Sequence, residues 1–289
     1  MFRRDYLKKP EWLKVKIPSG HDFREVFDLL KKYNLSTVCE EAHCPNMHEC
    51  WNKKSATIMI LGKVCTRACR FCSVETGNPK GKIDPQEPFH VAEVIKKLGL
   101  KYVVITSVDR DDLDDFGSQH YASTISAIQK QNPQVRVEAL IPDFAGERVH
   151  LQKVIDARPF VIGHNVETVK RLTRHIRDRR CGYERSLSVL KTVKKLDPKL
   201  RTKSGIMIGL GEEKQEIIET LTDLHANGVD IVTIGQYLQP TKKHHFVQKY
   251  YTPEEFAEFK DLGEKMGFKH VISGPLVRSS YRASEIPWE

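Results

Sequence analysis

Six short runs of apolar, largely β-branched residues recur along this chain. They alternate with stretches of helical periodicity, and that alternation limits the fold more than any other feature. The runs cover 56–61, 102–106, 135–141, 160–163, 205–208 and 230–235. Between them, Val91, Val94, Ile95 and Leu98 repeat at helical spacing. So do Ile217, Ile218, Leu221 and Leu224, and the stretch 187–196. Strands alternating with helices predict parallel βα units. Six units over roughly 215 residues fall short of the eight that close a full barrel. The expected fold is therefore α/β, a partial (βα)6 TIM-like barrel over 56–272, with an open doubly wound sheet as the alternative. An extension, 1–55, precedes it and contains an amphipathic helix marked by Phe23, Val26, Phe27 and Leu30. A C-terminal segment, 273–289, follows it as an appendage.

A polar motif follows each run directly. The motifs fall at 65–72, 107–115, 142–144, 164–168, 209–213 and 236–240. In parallel α/β folds the C-terminal ends of the strands carry the active site, so these six clusters are expected to converge on one mouth.

Six of the seven cysteines lie between positions 39 and 72, in two triplets. Cys65, Cys69 and Cys72 are spaced C-x3-C-x2-C; Cys39, Cys44 and Cys50 are spaced C-x4-C-x5-C. Crowded thiolates suit soft metals and iron–sulfur clusters. Three cysteines on a four-iron cluster leave one iron open to a ligand. Two other readings remain. A disulfide framework belongs to short secreted chains. Structural zinc draws on His43 and His48 within the first triplet, but usually pairs its cysteines at C-x2-4-C and closes with four ligands. Cys181 stands alone, and such a cysteine is ordinarily a small apolar side chain.

The formal charge is +9, from 47 basic and 38 acidic residues. An excess of this sign favours an acidic partner, whether nucleic acid or an acidic protein, or an anionic substrate, with solubility alone as the alternative. The basic stretches at 171–180, 191–203 and 242–245 have no interleaved aromatics, which argues against a single-strand nucleic-acid surface. No apolar run is long enough to span a membrane. The basic start lacks the apolar stretch of a signal peptide, so a reducing, bacterial cytoplasmic setting is expected.

With Phe71 just before its last cysteine, the C-x3-C-x2-C loop resembles that of the radical S-adenosylmethionine superfamily. The first triplet, together with RSSY at 278–281, narrows the resemblance to the lipoyl synthase family. Matching blocks run from about residue 36 to 283: VCEEAHCPNMHECW (38–51), TSVDRDDLDDFG (106–117), HNVETV (164–169), KSGIMIGLGE (203–212), GQYLQPT (235–241) and GPLVRSSYRA (274–283).

The resemblance implies two 4Fe–4S clusters and S-adenosylmethionine as cosubstrate. It assigns Cys65, Cys69 and Cys72 to the cluster with the open iron. Cys39, Cys44, Cys50 and Ser280 go to an auxiliary cluster that is consumed as the sulfur source. Phe71, Ser107, Asn165, Glu167 and Arg174 are the candidates to contact S-adenosylmethionine. Two sulfur atoms would enter at carbons 6 and 8 of an octanoyl chain held on a lysine of a carrier protein. That carrier is the lipoyl domain of a 2-oxoacid dehydrogenase E2 subunit, or the glycine cleavage H protein. An electron donor such as ferredoxin or flavodoxin and an iron–sulfur carrier protein would serve it, with no nucleic acid and no membrane. A radical enzyme that methylthiolates tRNA and a non-enzymatic two-cluster electron carrier are the rival readings. The family pattern breaks after Arg177, where Pro-Gly-Ala-Asp-Tyr is usual and this chain has Asp178-Arg179-Arg180-Cys181-Gly182-Tyr183. The acidic run 109–115 reads as a solvated helix start. The Gly-rich 205–211 reads as a tight turn rather than a phosphate loop, since it lacks the terminal Lys-Ser/Thr.

Overall fold

A computed structural model describes residues 6–14, 21–53 and 55–287, with the side chains of His21 and Asp22 omitted. The outermost residues of the two extensions, 1–5 and 288–289, lie outside it. The chain divides into two compact units. One, here the N-terminal unit, comprises Lys16–Arg67, Val74–Ile162 and Ser280–Glu289; the C-terminal unit comprises Met1–Val15, Ala68–Ser73 and Gly163–Ser279.

The N-terminal unit opens with helix α1 (His21–Lys32), strand β1 (Ser36–Thr37) and helices α2 (Val38–Glu41) and α3 (Met47–Asn52). Strand β2 (Thr57–Ile60), the short strands β3 (Val64–Cys65) and β4 (Glu75–Thr76), helix α4 (Glu87–Leu98), strand β5 (Tyr102–Ser107), helix α5 (Ser118–Gln131), strand β6 (Arg136–Leu140) and helix α6 (Arg148–Asp156) follow. β2 pairs in parallel with β5, and β5 with β6, while β1 adds an antiparallel edge to β2. All four residues of β2 are buried, as are the central four of β5. Continuous rather than alternating burial marks strands covered on both faces, which is why their sequences are unbroken apolar runs. α4 stops at Gly99, whose φ of 64° suits glycine at a helix C-terminus.

Strand β7 (Val161–Gly163) spans the division. The C-terminal unit continues with α7 (Lys170–Ile176), α8 (Tyr183–Leu196), β8 (Arg201–Ile208), α9 (Lys214–Ala226), β9 (Ile231–Gln236), α10 (Pro253–Met266) and β10 (His270–Gly274). β8, β9 and β10 pair in parallel. Their core combines Ile206, Ile208, Val232 and Ile234 with Ile217, Leu221 and Leu224 of α9 and Phe256 and Phe259 of α10. α10 starts at a capping box, with Thr252 accepting from the Glu255 N–H and Pro253 in the first helical position.

The α/β class and all six expected strands are present. β10 is an addition: 270–274 pairs along β9 in parallel, so the segment 273–289 is not wholly an appendage, its first two residues belonging to the sheet. Only Val271 of this strand is buried, which leaves too little apolar signal for sequence alone. Among the described residues no helix is long and apolar enough to cross a membrane.

Candidate active site

Within the N-terminal unit the first cysteine triplet is carried by α2, the turn after it and α3. Thr37 caps α2 by accepting the Glu40 N–H at 3.2 Å, placing Cys39 in the first turn. The Cys44 N–H bonds the Cys39 carbonyl at 3.0 Å, and the Cys50 N–H bonds that of Asn46 at 2.9 Å. The three thiols feel one another. Burial, then Cys44, pushes Cys39 up to about 11; burial, then Cys39 and Cys44, pushes Cys50 up to about 12. Thiols that hinder each other's ionisation suit a soft cationic group, which supplies the missing positive charge and deprotonates them. The indole of the fully buried Trp51 finds no oxygen or nitrogen partner among the described residues; its neighbour is the Cys39 sulfur. His48, considered for zinc, stacks on Phe23 at 4.7 Å and 16°. Among the described residues no three His, Cys, Asp or Glu side chains close on a single metal-ion position.

Ser280 belongs to this same unit. Thr57 donates its hydroxyl to Ser280 Oγ at 2.6 Å, and its backbone also borders the Cys39 sulfur. The residues after Ser280 are fastened to the helix that carries Cys50. Tyr281 donates to Glu49 at 3.1 Å, Arg282 bonds it at 2.9 Å, and Glu285 meets Lys53 at 3.4 Å. Burial opposes the charge on Glu49, but the bonds from Arg282 and Tyr281 prevail and hold its carboxyl below the usual range. The unit therefore brings Cys39, Cys44, Cys50 and Ser280 to one region.

Cys65, at the end of β3, is in the N-terminal unit as well. Its sulfur accepts the backbone N–H groups of Arg67 and Asp109, both at 3.4 Å. Two buried arginines join the loops after β2 and β5. Arg67 reaches Asp111 at 2.9 Å, Asp143 at 2.8 Å and Asp109 at 3.3 Å. Arg110 bonds the carbonyls of Leu61 and Lys82 and the carboxylate of Asp112. The run 109–115 is thus a helix start only at its end, by α5. Three of its members neutralise buried arginines, and Asp115 takes the N–H groups of Gly117 and Gln119.

In the C-terminal unit, Cys69 accepts the Asp178 N–H at 3.2 Å, and the Cys72 carbonyl meets His244 Nε2 at 2.9 Å. A carbonyl only accepts, so Nε2 carries the proton, and the Thr241 hydroxyl donates to Nδ1 at 2.8 Å. His245 bonds the Arg70 carbonyl through its N–H at 3.0 Å. Phe71 packs against the apolar core of this unit. Cys181 is not merely a small side chain: its thiol interacts with that of Cys69, and together with burial this pushes the Cys69 thiol up.

The remaining candidates fall as follows. Ser107 ends β5 with a buried hydroxyl that has no strict partner among the described residues. The nearby Tyr121 hydroxyl directs its hydrogen to the Leu140 carbonyl instead. Asn165 and Glu167 follow β7. Asn165 donates to Glu167 at 3.1 Å and to Ser279 at 2.7 Å. Burial raises the Glu167 carboxyl. A Cβ on Gly205 would stand within 3.0 Å of the side chains of Thr233, Asn165 and Ser279, so glycine is what lets them meet. Arg174 is exposed in the last turn of α7. The Gly-rich turn offers no phosphate cradle, because Glu212 takes the N–H groups of Gly209 (2.5 Å) and Leu210 (2.9 Å). Sequence reasoning missed Thr57, Arg67, Asp178 and the pair His244–His245. The arginine lies inside the cysteine motif and the histidines in a noted basic stretch, but neither position reveals its partners.

Comparison with known proteins gives two family matches. The radical SAM superfamily matches residues 59–224, and the N-terminal domain of lipoyl synthase of the radical SAM family matches 2–44. The lipoyl synthase of Halorhodospira halophila is 53% identical over 279 residues, covering 96% of this chain and 84% of that protein. That of Francisella tularensis subsp. novicida is 52% identical over 281 residues, covering 97% and 86%. Among solved structures, methylornithine synthase (PylB) aligns with a TM-score of 0.57 at 12% identity, over 96% of this chain and 91% of that one. The FeFe-hydrogenase maturase HydG from Carboxydothermus hydrogenoformans gives 0.58 at 13%, over 77% and 60%. At such identities the structural likeness speaks for the fold alone.

Proposed function

Since the chain belongs to the lipoyl synthase family of the radical S-adenosylmethionine superfamily, we propose that it inserts two sulfur atoms, at carbons 6 and 8, into an octanoyl chain held on a lysine of a carrier protein. One observation carries the reading to this chain's own residues. Ser280 lies beside Thr57, on which Cys39 also borders, although about 230 residues separate it from the nearest cysteine of that triplet. A serine has no reason of composition to be there, and a hard oxygen ligand suits a cluster that must come apart.

Cys65, Cys69 and Cys72 would hold one four-iron cluster, and Cys39, Cys44, Cys50 and Ser280 the auxiliary one. When bound, the first cluster would pass one electron, received from an external reductant, to S-adenosylmethionine, and the auxiliary cluster would supply the two sulfur atoms. The protein's part is placement. Arg67 and Asp109 offer N–H groups to Cys65, while the arginine's side chain fixes their two loops. Histidine 244 braces the Cys72 carbonyl. The buried Ser107 hydroxyl, beside that of Tyr121, is available to the amine of S-adenosylmethionine, and the Asn165–Glu167 pair to its ribose hydroxyls. Phe71 would border the adenosyl site, and Arg174 is exposed where a carboxylate or the carrier can reach it.

An octanoylated lipoyl domain is the protein substrate, whether from an E2 subunit or the H protein. A ferredoxin or flavodoxin would deliver electrons, and an iron–sulfur carrier would restore the auxiliary site, all in the cytoplasm. Residues 1–55 and 273–289 serve as the auxiliary-cluster extensions of a catalytic barrel, 56–272.

Two triple variants test the reading. Replacing Cys65, Cys69 and Cys72 by Ala should abolish 5′-deoxyadenosine formation. The same change at Cys39, Cys44 and Cys50 should spare it and abolish lipoyl product. A lipoyl product from the second variant would remove the sulfur-donor assignment.

A further inference from the structure

The segment after α7 touches the cysteine loop in a way that the proposed chemistry leaves unused. Arg177 ends α7 in an extended conformation, φ −91° and ψ 163°. The next residue, Asp178, donates its backbone N–H to Cys69 Sγ at 3.2 Å. Its carboxylate accepts the Ala68 N–H at 2.9 Å, so it holds the turn that presents Cys69. Arg180 grips that carboxylate through its backbone N–H at 2.9 Å and through Nε at 2.8 Å. The Arg180 carbonyl in turn accepts from Arg185 at 2.8 Å, tying the loop to the first turn of α8. The Cys181 N–H closes the turn on the Asp178 carbonyl at 2.8 Å.

An N–H aimed at a thiolate withdraws part of its negative charge. An iron–sulfur cluster gains one negative charge on reduction, so the donor stabilises the reduced form more than the oxidised one. Hydrogen bonds to sulfur are among the levers that set cluster potentials. The donor here is backbone, fixed by a turn and an ion pair, and needs no rearrangement to act.

We infer that Asp178 is a positioning residue for Cys69: it fixes the cluster-binding turn through its carboxylate and favours the reduced cluster through its N–H. The inference rests on the assignment of Cys69 as a ligand of the open-site cluster.

The test uses the full chain with Cys39, Cys44 and Cys50 changed to Ala, so that one cluster remains. Asp178→Pro removes the N–H and the carboxylate together. Arg177 already has the extended conformation that a following proline demands. Asp178→Asn keeps the N–H and an oxygen for Ala68. Midpoint potentials are read by anaerobic titration followed by electron paramagnetic resonance. Both variants lose the carboxylate's charge, so the N–H is read from their difference: the reduced-to-oxidised ratio at fixed potential should be roughly three- to tenfold lower in Asp178→Pro than in Asp178→Asn, as expected for loss of one modest hydrogen bond. Equal midpoints in Asp178→Pro and Asp178→Asn overturn the inference. A second measurement needs no iron. Amide exchange at Asp178 in the cluster-free chain should be slow and should accelerate in Cys69→Ala; equal rates would refute the hydrogen bond itself. If Cys69→Ala still loads a complete open-site cluster, the ligand assignment fails and the inference with it.

Discussion

Ser280→Ala is the sharpest perturbation of the proposed auxiliary site. The substitution deletes the oxygen that accepts from Thr57 at 2.6 Å. Thr57 is only 7% exposed, so its hydroxyl is left in a dry place without this partner. Removing one member of a buried pair costs about 1–2 kcal/mol. For a chain of this size that lowers the melting temperature of the cluster-free protein by roughly 2–8 °C. The fold survives, because Tyr281, Arg282 and Glu285 still fasten the segment to Glu49 and Lys53. After anaerobic reconstitution with S-adenosylmethionine, reductant and an octanoylated lipoyl domain, 5′-deoxyadenosine should form while sulfur insertion stops. Thr57→Val separates the two effects: it removes the same hydrogen bond and should cost similar stability, yet leave the Ser280 oxygen in place and retain lipoyl product. Ser280→Cys should load iron and resist releasing sulfur, since a thiolate holds iron more tightly than a serine oxygen. Full lipoyl yield from Ser280→Ala, or equal loss of product in Thr57→Val, would refute the reasoning.

Three further outcomes can be measured. Arg67→Ala should cost about 3–5 kcal/mol, read by denaturant unfolding, because Asp143 is 1% exposed and loses its counter-charge; a change under 1 kcal/mol would show that the carboxylates find other partners. Gly235→Ala should destabilise the fold, since the new Cβ would stand 2.1 Å from the Val277 carbonyl oxygen; an unchanged melting temperature would count against this. Asp230 gives a pH test. Burial opposes its charge, but Lys194, Lys269 and the Thr202 N–H hold its carboxyl below the usual carboxylate range. The folded state then binds fewer protons than the unfolded, so the contribution is present above about pH 4 and lost as pH falls through the depressed value. Asp230→Asn should be the less stable protein at pH 7, and the gap in melting temperature should narrow below pH 4; a constant gap would contradict the assignment.

The strands were legible because burial on both faces writes itself as unbroken apolar sequence, as in β2, β5 and β9. β10 escaped because Ser273 and Gly274 carry no such signal and one side chain alone is buried. At the site, the cysteine spacings pointed to the chemistry, but the proposal of Ser280 came only through family resemblance. Nothing local distinguishes a ligand serine from a turn serine. The arginine pairings were hidden for a different reason. Arg67 meets partners 44 and 76 positions away, and an acidic run looks solvated until folding supplies the buried cation. The loop 178–182 was visible as a departure from pattern, but its contact with Cys69 spans 109 positions.

The position of Ser280 also bears on the order of events during synthesis. The cysteines of its triplet leave the ribosome about 230 residues earlier, and at roughly 5–20 residues per second the interval is on the order of 10–50 s. Throughout it, on the ligand set proposed above, three thiols are exposed on a nascent chain that still lacks Ser280. A cluster delivered then would have only three protein ligands. If Ser280 serves as proposed, complete loading of that site has to follow translation, and a chain truncated before residue 280 should carry its cysteines into the cell as an incomplete trap for iron.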